Sequence, residues 1–181
     1  PAREISRWKA RYLKAMTRRI AAAAGVTLIL TAVSFGPWVK SIELLSLGTD
    51  EVRFCAPVAD GEEIVLSFTH SVNKRPVYDT LRIRGGSLVI VKSRFDAFGA
   101  GMPESSTDQG TFRVLPDGGL EWTVNRVVPE IVVRVGRVAG HTLQIRGREI
   151  ALADLAEPGD AVRFRVERYS LFQMMKGGCL W

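Results

Sequence analysis

Residues 64–83 read Ile64-Val65-Leu66-Ser67-Phe68-Thr69-His70-Ser71-Val72-Asn73-Lys74-Arg75-Pro76-Val77-Tyr78-Asp79-Thr80-Leu81-Arg82-Ile83. Ile64, Leu66 and Phe68 alternate with smaller or polar residues, the period of two of a strand with one buried face. Val77, Leu81 and Ile83 repeat the pattern after a loop from Ser71 to Pro76, so the stretch predicts a hairpin. The same parity places His70 and Asp79 on the buried face. With His70 opposite Val77 and Phe68 opposite Asp79, the imidazole lies diagonal to the carboxylate and within reach of it. Such a pair satisfies two groups that are costly to bury alone. Its first reading is structural; a catalytic or ligand-binding pair is the alternative.

Working outward, short runs with β-branched or alternating apolar residues occupy Ile42–Leu47, Glu51–Val58, Ser87–Phe95, Thr111–Leu115, Leu120–Val124, Ile131–Val138, Thr142–Ile145 and Ala161–Tyr169. Gly85-Gly86, Asp117-Gly118-Gly119 and Gly147-Arg148 read as hairpin turns, and Glu157-Pro158-Gly159-Asp160 as a β-turn. Only Ala151–Ala156 suggests a helical turn. The expected fold is all-β, a single β-sandwich or irregular β-barrel spanning 40–181.

The N-terminus differs in kind. Seven basic residues and one acid precede Ser34, whereas the other 18 of the 25 basic residues face 18 of the 19 acids. The net charge of +6 therefore belongs to a basic arm, 1–19, and not to a nucleic-acid-binding surface. An uncharged run follows at 20–39, about the 20 residues that a membrane helix needs. Basic residues before the run predict a cytoplasmic N-terminus and an exported remainder. The run is expected to stay as a transmembrane anchor ending near Trp38; a signal sequence cut after Ala32 and Ser34 is the alternative. The localisation implied is the inner membrane, crossed once, with the β domain in the periplasm.

Cys55 and Cys179 can bridge in an oxidising compartment or stand as two thiols. His70 and His141 are far apart without neighbouring ligands, so no metal spacing and no cofactor motif are present. The segment Phe98-Gly99-Ala100-Gly101-Met102-Pro103-Glu104 reads as a tight turn, and as an anion-binding loop only in second place.

The runs His70-Ser71-Val72, Pro76-Val77 with Asp79, Phe98 to Pro103, and Val135-Gly136 with His141 together resemble the bacterial family called domain of unknown function 1850. The resemblance covers roughly Leu47 to Glu167. It implies no activity. It implies a setting beside tripartite ATP-independent periplasmic (TRAP) transporters of the TAXI type, which import organic acids and similar solutes.

Two functions follow as expectations. One is a membrane-anchored accessory or small-ligand-binding domain that contacts a TRAP permease or a TAXI solute receptor. The other is a periplasmic hydrolase with His70 as base, Asp79 as its orienting acid and Ser71 as nucleophile. Adjacent strand residues point to opposite faces, which counts against the triad. For the first function, His70, Asp79, Gly99, Gly101 and Glu104 are expected to form one polar cluster, with Arg75 and Arg94 supplying charge for a carboxylate.

Overall fold

The computed structural model of the chain describes residues 2–179, with side chains from residue 12 onward. It opens with one long helix, α1 (Ala2–Phe35). Its stretch Tyr12–Phe35 is long and apolar enough to cross a membrane. At 1.5 Å per residue these 24 residues reach about 36 Å, more than the hydrocarbon core. Thr27 and Thr31 turn their hydroxyls back to the carbonyls of Ala23 and Thr27, so neither needs an outside partner. The apolar run expected at 20–39 does not form one segment. Pro37 forbids helix in the residue before it, so α1 ends at Phe35 and Val39 already belongs to a strand. A membrane-spanning length is reached only by including the turns before Ile20, which carry Lys14, Arg18 and Arg19.

Eleven strands follow: β1 (Val39–Ser46), β2 (Glu51–Pro57), β3 (Glu63–Thr69), β4 (Pro76–Arg84), β5 (Ser87–Phe95), β6 (Thr111–Val114), β7 (Leu120–Val128), β8 (Glu130–Arg134), β9 (Thr142–Ile145), β10 (Arg148–Ala151) and β11 (Ala161–Tyr169). They make two antiparallel sheets, a small one ordered β2-β1-β11-β8 and a large one ordered β10-β9-β3-β4-β5-β7-β6. No ladder joins the two sheets among the described residues, so the fold is a sandwich and not a barrel. The expected helical turn at Ala151–Ala156 is shorter, a 3-10 turn at Leu152–Asp154. Before it lies a strand that the sequence pattern hid: Arg146 and Gly147, both at positive φ, make a two-residue turn that returns the chain as β10.

The main core lies between the sheets. Ile42, Leu44, Val162 and Phe164 from the small sheet meet Ile64, Leu66, Leu81, Ile83, Leu88, Leu143 and Ile145 from the large one. Each such side chain contributes about 1.5–3 kcal/mol by leaving water. A second, smaller core occupies the other end of the same inner face: Val77, Phe95 and Leu120, with Phe68, Met102, Phe112 and Trp122 packed against them.

The outer face of the small sheet is covered by the end of the chain. After β11 a short helix, α2 (Leu171–Gln173), starts with a capping box in which Ser170 and Gln173 exchange hydrogen bonds, and it continues as a π-turn over Met174–Gly178. Met174 and Cys179 pack there with Cys55, Val39 and Tyr169. Cys55 and Cys179 are joined by a disulfide, with Cα atoms 4.5 Å apart.

Candidate functional site

The hairpin forms, with a register two residues from the expected one. Phe68 pairs with Val77, and Asp79 pairs with Leu66. His70 lies outside the strand, where its N–H donates to Arg75 O and its carbonyl accepts from Lys74 N–H. It is four residues from Asp79's partner, or about 13 Å along the strand. The expected pairing of His70 with Asp79 is therefore not formed. A slip of two leaves every side chain on its face, so parity cannot see it; the hydrogen bonds of a tighter loop, with Lys74 at positive φ, decide it.

What the two motifs do share is a loop junction. Asn73 donates through Nδ2 to the carbonyls of Ala97 (3.2 Å) and Phe98 (3.1 Å) and accepts from Arg75 N–H through Oδ1. Arg75 pairs with Asp96. A side chain on Gly99 would stand 2.8 Å from Asn73 Nδ2 and 3.2 Å from His70 Cε1, so glycine is what lets the loops meet. The Gly99 carbonyl accepts from Met102 N–H across a turn whose third residue, Gly101, has φ +81°. Glycine at that position is what a type II turn demands, and the turn delivers Met102 to the second core. His70 joins this junction beside Gly99, with its Nδ1 accepting from Val72 N–H. Glu104 and Ser71 are exposed. With Nδ1 occupied by the backbone and Asp79 elsewhere, His70 has neither the orienting acid nor the free geometry of a triad base.

Asp79 occupies a different place. Along one row of the large sheet's inner face stand Leu66, Asp79, Ser93 and Trp122, in the register of β3, β4, β5 and β7. This row falls between the two hydrophobic cores. Ser93 donates its hydroxyl to Asp79 Oδ1. An open cleft of about 710 Å³ lies over the row, lined by Asp79, Ile90, Ser93, Gln109, Trp122, Val124 and Arg126. Arg94, expected to serve this site, points to the other face of the sheet and pairs with Asp117. Its place is taken by Arg126, which the sequence reading passed over. Arg126 keeps the parity of Leu120, Trp122 and Val124 along β7, and the irregular pairing with β5, beside Asn125 at positive φ, sets it opposite Ile90. None of the ion pairs among the described residues involves Arg126.

Burial pushes the Asp79 carboxyl above its ordinary range, and the Ser93 hydrogen bond offsets this only in part. An acid whose folded pKa is raised binds its proton more tightly in the fold than in the unfolded chain. Stability is then lost as pH rises from the ordinary carboxyl range through the raised native value. Asp79→Asn keeps an oxygen for Ser93 and removes the ionisation. We expect the variant to melt at or above the wild-type temperature at pH 7, with the difference closing as pH falls toward about 4. A lower melting temperature at pH 7 would show that the ionised carboxylate stabilises the sheet. His141, by contrast, packs its ring 5.5 Å from that of Phe68, and burial lowers its pKa below the ordinary imidazole range.

No curated protein and no solved structure matches the chain. A family model does match, over residues 64–152, a stretch that begins within β3, ends just past β10 and contains every residue of the Asn73 junction and of the Asp79 cleft. Over these residues the chain is similar to the family described as Domain of unknown function (DUF1850).

Proposed function

We propose that the protein is a membrane-anchored accessory domain that holds a small organic carboxylate in the Asp79 cleft, outside the inner membrane, and works with a TRAP transporter of the TAXI type through its permease or its solute receptor. The observation that carries the reading is Asp79 itself. A half-buried carboxyl between two cores, with a serine and, among the described residues, no cation as its partner, costs the fold stability, and costs of this kind are retained where a ligand uses them. Arg126 offers a planar fork to a carboxylate. Trp122, Ile90 and Val124 offer apolar walls to the ligand's carbon skeleton, while Asp79, Ser93 and Gln109 can hydrogen-bond a hydroxyl or carbonyl at its other end. The transporter association rests on the resemblance of the two loop motifs, and the periplasmic placement on the charge asymmetry around α1.

Calorimetric titration of the purified full chain with small aliphatic and aromatic carboxylates tests the site. Arg126→Gln is expected to weaken binding by about tenfold to a hundredfold, the equivalent of about 1.5–3 kcal/mol for a charge-assisted pair. Arg94→Gln, on the opposite face, should leave it unchanged. Equal affinity in Arg126→Gln, or no binding of any carboxylate, overturns the assignment. The anchor is tested separately: a phosphatase fused after Trp181 should be active, and the membrane-bound chain should retain α1. A soluble product beginning near Phe35 would make α1 a signal sequence instead.

A further inference from the structure

Where α1 ends, the structure gathers apolar side chains that the sandwich does not use. Phe35, the last helical residue, is 59% exposed and its ring lies 4.9 Å from that of Phe172 in α2. Trp38, 63% exposed, folds back so that its indole N–H donates to the carbonyl of Ala32 inside the last turn of α1. Leu171 and Met175, at helical spacing of four, are exposed beside Phe172, Met175 at 75%. The opposite side of the same segment is fixed to the domain: Met174 is buried, and Cys179 is bonded to Cys55. Lys176 Nζ stands 5.0 Å from the centre of the Phe172 ring, a cation held at the rim of the apolar surface.

We infer that the C-terminal segment Leu171–Gly178 is a membrane foot, an apolar face clamped by the disulfide that enters the lipid interface next to the exit of α1 and fixes how the sandwich stands on the bilayer. The inference rests on reading α1 as a membrane span. The occupant follows from continuity: Phe172 is in ring contact with the residue at which the span leaves the bilayer, so what surrounds Phe35 reaches Phe172. An indole, a phenyl ring and a lysine at one level are the side chains that suit an interface, apolar in body with a polar or charged end near the headgroups. Burying Leu171 and Met175 there needs an insertion of about 5–10 Å, the usual depth of an interfacial helix. The foot also gives the disulfide a purpose beyond stability. Without it the segment is tied to the small sheet only at its start, through the backbone at Ser170, when the bilayer pulls on it.

The test uses the full chain with Leu171→Cys carrying an environment-sensitive fluorophore, reconstituted in vesicles of phosphatidylethanolamine and phosphatidylglycerol. The same label at Val138→Cys, 75% exposed on the loop after β8, is the aqueous reference. At Leu171 the emission should shift to the blue relative to Val138, and lipids spin-labelled near the headgroup should quench it several-fold more. Equal emission and equal quenching at the two positions, in protein that resists extraction by alkaline carbonate, overturns the foot and leaves the span standing. Protein that carbonate releases overturns both.

Discussion

Reduction of the Cys55–Cys179 disulfide, or its removal as Cys55→Ser with Cys179→Ser, is expected to be the largest single loss of stability available in this domain. The bond closes a loop with a sequence separation of 124. Loop-closure entropy for such a span is worth up to about 5 kcal/mol. The measurement is the denaturation midpoint with and without reductant. The effect should exceed that of any exposed substitution, because the bond also holds Met174 over Val39 and Tyr169 on the outer face of the small sheet. Proteolysis separates the two contributions: under reducing conditions the chain after Ser170 should become cleavable while β1 to β11 remain protected. An unchanged midpoint on reduction would mean that packing alone secures the tail.

The second large effect is expected at Arg165→Met. Glu43, only 1% exposed, sits on the outer face of β1 and is gripped by the Arg165 guanidinium and the Tyr169 hydroxyl from β11, both of which donate to its carboxylate. Burial and the hydrogen bond to Glu43 push the Tyr169 phenol far above its usual range, so it remains a neutral donor. Removing the guanidinium strands a buried carboxylate with one partner, a change that costs about 3–5 kcal/mol. Because Arg165 is itself part-exposed, the lower end of that range is expected. The double variant Glu43→Met, Arg165→Met should regain most of the loss, since an apolar pair of similar volume replaces a desolvated ion pair at little cost. Chemical denaturation of the four proteins in this cycle gives the coupling energy directly. If Arg165→Met is as stable as wild type, the carboxylate is solvated in a way its burial denies.

Glu43 and Asp79 differ in how their removal from water is compensated. Both are acids on strands. Glu43 has a cation and a phenol, and its burial is compensated by them; Asp79 has a serine and an open cleft. Neither distinction can be read along the chain, because the compensating groups arrive from strands over a hundred residues away in one case and from a neighbouring strand in the other.

Much of the architecture was nevertheless written in the local pattern. Short runs of β-branched or alternating apolar residues mark all but one of the eleven strands, because a strand that buries a face must carry such residues whatever it pairs with. The missed strand, β10, carries Arg148 and Glu149 on a short edge where alternation has no core to answer to. The charge and hydropathy of the N-terminal segment likewise pointed to a membrane-length helix, since a bilayer reads composition and length.

The site was legible only in part. Parity places Asp79 on the inner face, whereas Arg94, expected to bring charge to the cluster from before the Gly99 turn, faces out, because Ser93 and Phe95 on either side of it are the inward residues. The continuous apolar run Leu88-Val89-Ile90-Val91 and the irregular pairing between Ile90 and Lys92 conceal which residues of β5 face inward. Composition and periodicity by themselves determined that this is an all-β chain behind a membrane-length helix, because those depend on each residue's own preference for water or for a strand. Tertiary structure alone decided that Cys55 meets Cys179, that His70 belongs with Gly99 and not with Asp79, and that Arg126 shares a cleft with Ser93. Such meetings depend on register, bulges and the return path of the chain, and a shift of two residues changes them without altering which face any side chain is on.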